Sequence, residues 1–422
     1  MNLQDPEPLR IRQIRIDGLF GLYNHCINLN LKERVTILHG PNGVGKTITL
    51  RMVEAMLKGK FEIFWKVPFH SFSIEFDNNN ILTISHFEEH EYILKLSQTV
   101  GPEILHENNI YPKTKVSDLM GVSLTGSRTE DEFRAKFNSY QYSAEASPSW
   151  LVEFNNKFDT YFIQTQRLLK FSATEKSSSS ISQKTVISST IIEYANDLSA
   201  QIESTLASYA RESQVLDQSF PQRLLSESSR DDNNIKIRMS NLDCQRRELR
   251  EIGLLDQVDY QIFDSANLDE LIATEKKVMM VYIQDTEQKL SVLADLARRI
   301  KLLLNSINTK FQNKYLRIDR DKGFVVTNDA GQNLDLDSLS SGEQHEIVLL
   351  SDLLFSIKPN TLVLIDEPEL SLHVVWQKRF LPDLLKIAEV AQIDVLIATH
   401  SPYIVGDYTD LMVALETGAS RA

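Results

Sequence analysis

Cysteine is nearly missing from this sequence: Cys26 and Cys244 are the only two in 422 residues. They lie far apart, with no Cys-x-x-Cys or Cys/His ligand spacing, which excludes a disulfide framework and a structural zinc site. No apolar run approaches membrane-spanning length. The opening Met1-Asn2-Leu3-Gln4-Asp5-Pro6-Glu7 has neither the basic nor the apolar region of a secretion signal. The expectation is a soluble, cytoplasmic protein with reduced thiols and no membrane contact. Basic charge is also in short supply, 45 Lys and Arg against 58 Asp and Glu, for a net charge of −13. That excludes a chain that coats nucleic acid non-specifically, while a local basic groove stays compatible with it. What is present is 42% hydrophobic residues, enough for one large α/β domain with an insertion or for two ordinary domains.

Alternation of apolar and polar residues from Leu9 to Leu31 predicts a hairpin-like pair of strands, with Gly18 and Gly21 between them. Alternating segments at Ser71 to Phe76, Ile81 to Ser85 and Tyr92 to Leu96 predict an antiparallel sheet, and Tyr161-Phe162-Ile163 a further strand. From Ser172 to Thr185 the chain is serine-rich and loses periodicity, as a connector does. Beyond it the spacing becomes helical. Ile191, Tyr194, Leu198, Ile202, Leu206 and Tyr209 mark one stripe; Leu293, Ala297, Ile300, Leu304, Ile307 and Phe311 mark another with the alternating steps of a coiled-coil seam. Too few heptads follow for an extended coiled coil, so a compact helical arm from about Ile187 to Phe311 is expected, serving assembly or docking. Gly323 to Thr327 returns to a strand.

Three motifs carry chemistry. Gly40-Pro41-Asn42-Gly43-Val44-Gly45-Lys46-Thr47 fits G-x-x-x-x-G-K-[ST] between a β-branched run (Arg34 to His39) and helical spacing from Ile48. Backbone N–H groups of such a loop curl around phosphates, Lys46 reaches the β/γ oxygens, and the Thr47 hydroxyl suits Mg²⁺. Thr361 to Ile365 is an apolar run of the kind buried on both faces in a parallel strand, and it ends in Asp366-Glu367. Two adjacent carboxylates there need compensation, which Mg²⁺ on Asp366 and a water polarised by Glu367 would supply. Leu339-Ser340-Ser341-Gly342-Glu343-Gln344 opens a helix, either as an N-cap alone or as a second anion-binding surface.

Phosphate loop, long insertion, Leu-Ser-x-Gly-Glu/Gln helix, acidic strand and Ala398-Thr399-His400-Ser401, in that order, resemble the ABC ATPase superfamily, in its SMC, RecF and OLD branch. The resemblance implies an α/β fold: an ABC-type P-loop ATPase head, with a mixed sheet and an antiparallel β subdomain, split into residues 1–170 and 312–422 around a helical, coiled-coil-like insertion at 171–311. It implies that Asn42, Gly43, Val44, Gly45, Lys46 and Thr47 bind ATP, that Thr47 and Asp366 hold Mg²⁺, that Glu367 is the catalytic carboxylate, and that His400 contacts the γ-phosphate. Ser340, Ser341 and Gly342 would cap the nucleotide of a second subunit, giving a homodimer or a higher homo-oligomer. Gln164 or Gln166 matches the Q-loop glutamine. Ser341 stands where transporters have glycine, and Pro368-Glu369-Leu370-Ser371-Leu372-His373 replaces their Ser-Ala-Leu-Asp turn, which points away from a transporter subunit.

OLD nucleases carry a Toprim domain after the histidine, and the 22 residues after His400 leave no room for one. The expectation is a stand-alone ATPase resembling those of PARIS and Septu anti-phage systems. It would gate a separate Toprim-like or HNH nuclease effector in response to a phage protein. A DNA-repair ATPase that clamps duplex DNA is the second reading, resting on Arg246, Arg247, Arg250, Arg298 and Arg299, which acids such as Glu248 and Glu251 interleave.

Overall fold

A computed structural model describes residues 9–87, 90–111, 147–163, 169–171, 187–226, 234–256, 272–370 and 372–415. Two units make up the chain, Met1–Thr165 with Ile357–Ala422, and Gln166–Ser356. The first begins with β1 (Ile11–Leu19), β2 (Tyr23–Asn28), β3 (Val35–His39), α1 (Lys46–Leu57), α2 (Glu62–Lys66), β4 (Ser71–Phe76), β5 (Asn80–Phe87), β6 (His90–Val100), β7 (Glu103–Ile110), α3 (Ser149–Asn155) and β8 (Thr160–Ile163). The second holds β9 (Leu169–Phe171), β10 (Ile187–Ser189), α4 (Thr190–Ser226), α5 (Ile235–Glu251), α6 (Ala273–Asn308), β11 (Lys314–Asp319), β12 (Gly323–Asn328), β13 (Asn333–Leu334) and α7 (Ser341–Ser351). The chain then returns to the first unit as β14 (Leu362–Asp366), α8 (Val374–Ala391), β15 (Asp394–Ala398), α9 (Pro402–Val405) and β16 (Met412–Ala414).

Sequence pattern separates the two large sheets. β14 and β15 are apolar between the Asp394 that opens β15 and the Asp366 that closes β14, and they are buried throughout apart from the half-buried Asp366. With β3, β8 and β16 they form a parallel sheet in the order β16-β3-β15-β14-β8. β1 and β4 alternate buried and accessible residues and pair antiparallel in the order β2-β1-β4-β5-β6-β7. Leu50, Met52, Val53 and Met56 of α1 join side chains of both sheets in one core cluster, each burial contributing roughly 1.5–3 kcal/mol. α1 stops at a Schellman turn: the Lys60 N–H donates to Ala55 O at 2.8 Å and the Gly59 N–H to Met56 O at 3.3 Å, with Gly59 left-handed. β7, which alternation does not predict, is an exposed, polar edge strand held by its antiparallel pairing with β6.

In the second unit α4 and α6, each about 55 Å long at 1.5 Å per residue, pack along each other, and α6 also packs on α5, β11 and α7. The buried row on α6 runs Leu293, Leu296, Ile300, Leu303 and Ile307. It takes Leu296 and Leu303 in place of the expected Ala297 and Leu304, because elements on several sides widen the covered face. Asp285 of α6 pairs with Arg223 of α4, and the Asp217 carboxylate accepts from Lys289 at 2.6 Å. α7 runs straight into a π-helical turn, Asp352–Ser356. The serine-rich connector lies outside the described residues.

Candidate functional site

Strand register assembles the site in the first unit. Asp366 lies opposite Ala398, and Ala398 opposite Leu38, so the carboxyl ends of β3, β14 and β15 finish side by side, and the loops leaving them share one edge of the sheet. From β3 the chain turns through Gly40 to Gly45 into α1. Gly43 (φ 84°) and Gly45 (φ 96°) are left-handed, and a Cβ at Gly45 would lie 2.5 Å from a Leu19 methyl. The α1 N-terminus has no side-chain cap, so its first N–H groups and partial positive charge are offered to an anion.

Lys46 is buried, and burial pushes its ammonium below the ordinary lysine range, with the charges of Glu367, Glu369 and Asp366 opposing that shift. Its Nζ donates to Gly40 O at 2.8 Å and Pro41 O at 3.0 Å, and meets His400 Nδ1 at 3.2 Å. An ammonium only donates, so Nδ1 accepts and the ring proton sits on Nε2, which faces Glu367 Oε1 at 3.7 Å. Thr47 Oγ1 donates to Asp366 Oδ1 at 2.9 Å. Burial pushes the Asp366 carboxyl up, against the Thr47 hydrogen bond and the Arg51 and Lys46 charges that lower it. Glu367 is left-handed (φ 45°), a conformation uncommon outside glycine, and its N–H donates to Ala398 O at 2.8 Å. The turn carries its side chain off the strand axis toward the His400 ring.

Thr47 and Asp366 supply one hydroxyl and one carboxylate, adjacent and oxygen-only. No group of three or more His, Cys, Asp or Glu among the described residues makes a self-sufficient metal cage. That donor set fits Mg²⁺, which is ordinarily held by one or two carboxylates together with substrate phosphates and water.

The expected residues therefore divide. Gly43, Gly45, Lys46, Thr47, Asp366, Glu367 and His400 come together, with Asn42 and Val44 in the same loop. Gln164 and Gln166 lie outside the described residues. Ser340, Ser341 and Gly342 open α7 in the second unit. There Ser340 is an N-cap in a capping box: its N–H and hydroxyl donate to Glu343 Oε2 at 2.8 and 2.9 Å, and Lys314 Nζ holds the same carboxylate at 2.9 Å. Those contacts lower the Glu343 carboxyl, although burial acts first in the other direction.

Residues 10–405 match the model of the family described as AAA ATPase domain. The chain belongs to the AAA ATPase domain family. It is an ATPase, and ATP is its substrate. No curated protein matches it. Among solved structures, it is similar to the Smc head domain with an extended coiled coil bound to the C-terminal domain of ScpA, derived from Pyrococcus furiosus, at 11% identity and TM-score 0.38 over 97% of this chain and 94% of that one. The SMC head domain from Thermotoga maritima gives 12% identity and TM-score 0.35 over 96% and 94%.

Two contacts of this AAA ATPase domain escape motif reading. Buried His25 donates Nε2–H to Val44 O at 2.8 Å and stacks on Tyr23, bracing the glycine-rich loop from β2. Glu369, in the single turn after the acidic strand, accepts from the loop carrying His400. Each joins residues far apart in sequence, and no local spacing announces such a pair.

Proposed function

We propose that this ATPase is a Mg²⁺-dependent, ABC-type switch whose nucleotide state gates a separate nuclease effector in bacterial anti-phage defence. The observation that carries the ATP chemistry is the meeting of Lys46, Thr47, Asp366, Glu367 and His400 at one edge of the parallel sheet. Lys46 and the free N–H groups at the start of α1 hold the β/γ phosphates. Mg²⁺ on Thr47 and Asp366 would offset charge at the transferring phosphoryl group. Glu367 orients and polarises the attacking water, and His400 offers its Nε2–H to the γ-phosphate. Exposed Leu370, Val374, Val375 and Tyr403 flank these residues in sequence, apolar surface that suits docking of a second copy, whose Ser340, Ser341 and Gly342 would complete the site.

The gating role is supported by the likeness of Leu339 to Glu346, Ile365 to His373 and Ile397 to Pro402 to PARIS-type ATPases. The DNA-clamp reading is weakened because Arg246 donates to Tyr282 Oη at 2.9 Å, and Arg299 to the Leu354 carbonyl and Asp295. Two of its five arginines are thus engaged inside the helical unit.

Glu367→Gln tests the chemistry. ATP affinity should stay within about threefold of the parental value while kcat falls roughly 100-fold or more. Turnover at the parental rate would remove Glu367 from its role. The gating reading is tested by purifying this locked variant with a co-expressed Toprim-like or HNH nuclease. Failure of that nuclease to bind in either nucleotide state counts against it.

A further inference from the structure

We propose that Glu369 is a positioning residue for ATP hydrolysis: its carboxylate fixes the loop that places the His400 ring between Lys46 and Glu367. Three consecutive residues after β15 donate to this one side chain. Thr399 Oγ1 reaches Glu369 Oε2 at 2.8 Å, and the N–H groups of His400 and Ser401 reach Oε1 at 2.8 and 3.1 Å. Hydrogen bonds to an ionised acceptor are roughly twice as strong as neutral ones, and Thr399, fully buried, has little freedom to find another partner. A second tie runs beside the first. Buried Gln377 of α8 donates to the carbonyls of Glu369 and Leu372 at 3.2 and 3.3 Å and accepts from Ser401 Oγ at 2.8 Å. The turn after the acidic strand and the His400 loop are therefore bound together through both backbone and side chain.

Glu369 stands two residues after Glu367 in the same turn. Displacing this turn displaces the water-orienting carboxylate and the histidine together. With both oxygens filled by loop donors, Glu369 is not arranged to act as a base or a metal ligand. Its effect passes through His400, whose Nδ1 and Nε2 meet Lys46 at 3.2 Å and Glu367 at 3.7 Å. Without the carboxylate, the part-buried His400 N–H loses its acceptor, the Ser401 N–H keeps only Thr399 Oγ1 at 3.0 Å, and the ring loses its fixed placement. A misplacement of about 1 Å at a reacting centre is worth on the order of 100-fold in rate.

This inference rests on the reading of His400 as a γ-phosphate contact, and a double-mutant cycle separates the two. The variants are Glu369→Gln, His400→Ala and their combination, measured by steady-state ATPase assay, by titration with a fluorescent ATP analogue, and by thermal melting. Glu369→Gln should lower kcat roughly 10- to 100-fold, with KM and analogue affinity within about twofold. The double variant should be no slower than His400→Ala alone. The His400 ring resonance, identified by its loss in His400→Ala, should shift in Glu369→Gln. Thr399→Val, which at nearly constant shape removes one donor to Glu369 and the second acceptor of the Ser401 N–H, should show a smaller loss of kcat that is also absent in the His400→Ala background. Parental turnover by His400→Ala would refute the histidine reading itself. Impaired His400→Ala with parental Glu369→Gln, or losses that multiply in the double variant, would overturn the positioning role alone.

Discussion

Asp366 is a carboxylate whose ionised form the fold of the isolated chain disfavours. Burial raises its carboxyl above the ordinary range, and the Thr47 hydroxyl and the Arg51 and Lys46 charges only partly counter this. The sign of the linkage follows. Below the ordinary aspartate pKa the group is protonated in both folded and unfolded chains and favours neither. As pH rises through the raised folded-state value, ionisation is penalised only in the folded chain, so Asp366 lowers stability at neutral pH. Asp366→Asn should therefore raise the melting temperature of the nucleotide-free protein by roughly 1–3 °C at neutral pH, and the gain should vanish below the ordinary carboxylate range. Mg²⁺ with a non-hydrolysable ATP analogue should reverse the order, because only the parental chain gains ligand-linked stability through this carboxylate. Calorimetry across pH, with and without the complex, measures both effects. A variant that melts below the parental chain at neutral pH would mean that the carboxylate is a net stabiliser on its own.

The hairpin of β11 and β12 meets α4 at a glycine. Gly323 opens β12 with φ +75°, and a Cβ there would lie 1.8 Å from the Ala195 carbonyl oxygen. One helical turn along, Ser199 Oγ sits 2.8 and 2.9 Å from the carbonyls of Arg320 and Asp321 in the same turn. Gly331 has the same φ with nothing within 4 Å, so it isolates backbone strain from the clash. Gly331→Ala should cost roughly 1 kcal/mol, and Gly323→Ala roughly 3 kcal/mol or more, since two backbones must part. Urea unfolding of the two variants gives the comparison; equal losses would mean that α4 gives way without resistance. At this scale the sequence speaks where periodicity is strong. Alternation marks β1, β4, β5 and β6, an unbroken apolar run marks β14, and the phosphate loop and acid pair name their own positions. It is silent where pairing does the work. The polar β7 exists through its ladder with β6, the α6 row shifts because neighbours choose which leucines are covered, and Glu369 finds a loop 30 residues downstream. Ser340 was legible as a cap, and the structure gives it that part in full.

Assembly decides whether that cap has a second use. Lys46 and Ser340 begin two different helices, in the first and second units respectively, and each helix start offers N–H donors and partial positive charge to an anion. One ATP has a single γ-phosphate. If a second copy lends Ser340, Ser341 and Gly342 to the nucleotide held by Lys46, a C₂ dimer closes around two ATP molecules, and nucleotide binding is coupled to association. Complementation tests this directly. A Lys46→Ala chain and a Ser340→Arg chain are each inactive alone, yet a mixed dimer holds one site with both residues intact. Equal mixing makes about half the dimers mixed, so independent sites predict about a quarter of the parental rate. Coupling between the sites lowers that figure. Ser340→Arg also removes a helix cap worth about 1 kcal/mol, so Ser340→Asn, which preserves the cap, controls for stability; it should melt near the parental temperature and still lose most turnover. The Glu367→Gln chain should associate on adding ATP, measured by light scattering across protein concentration. Hydrolysis by Ser340→Arg at the parental rate, independent of protein concentration, would leave Ser340 a helix cap and the composite site without a basis.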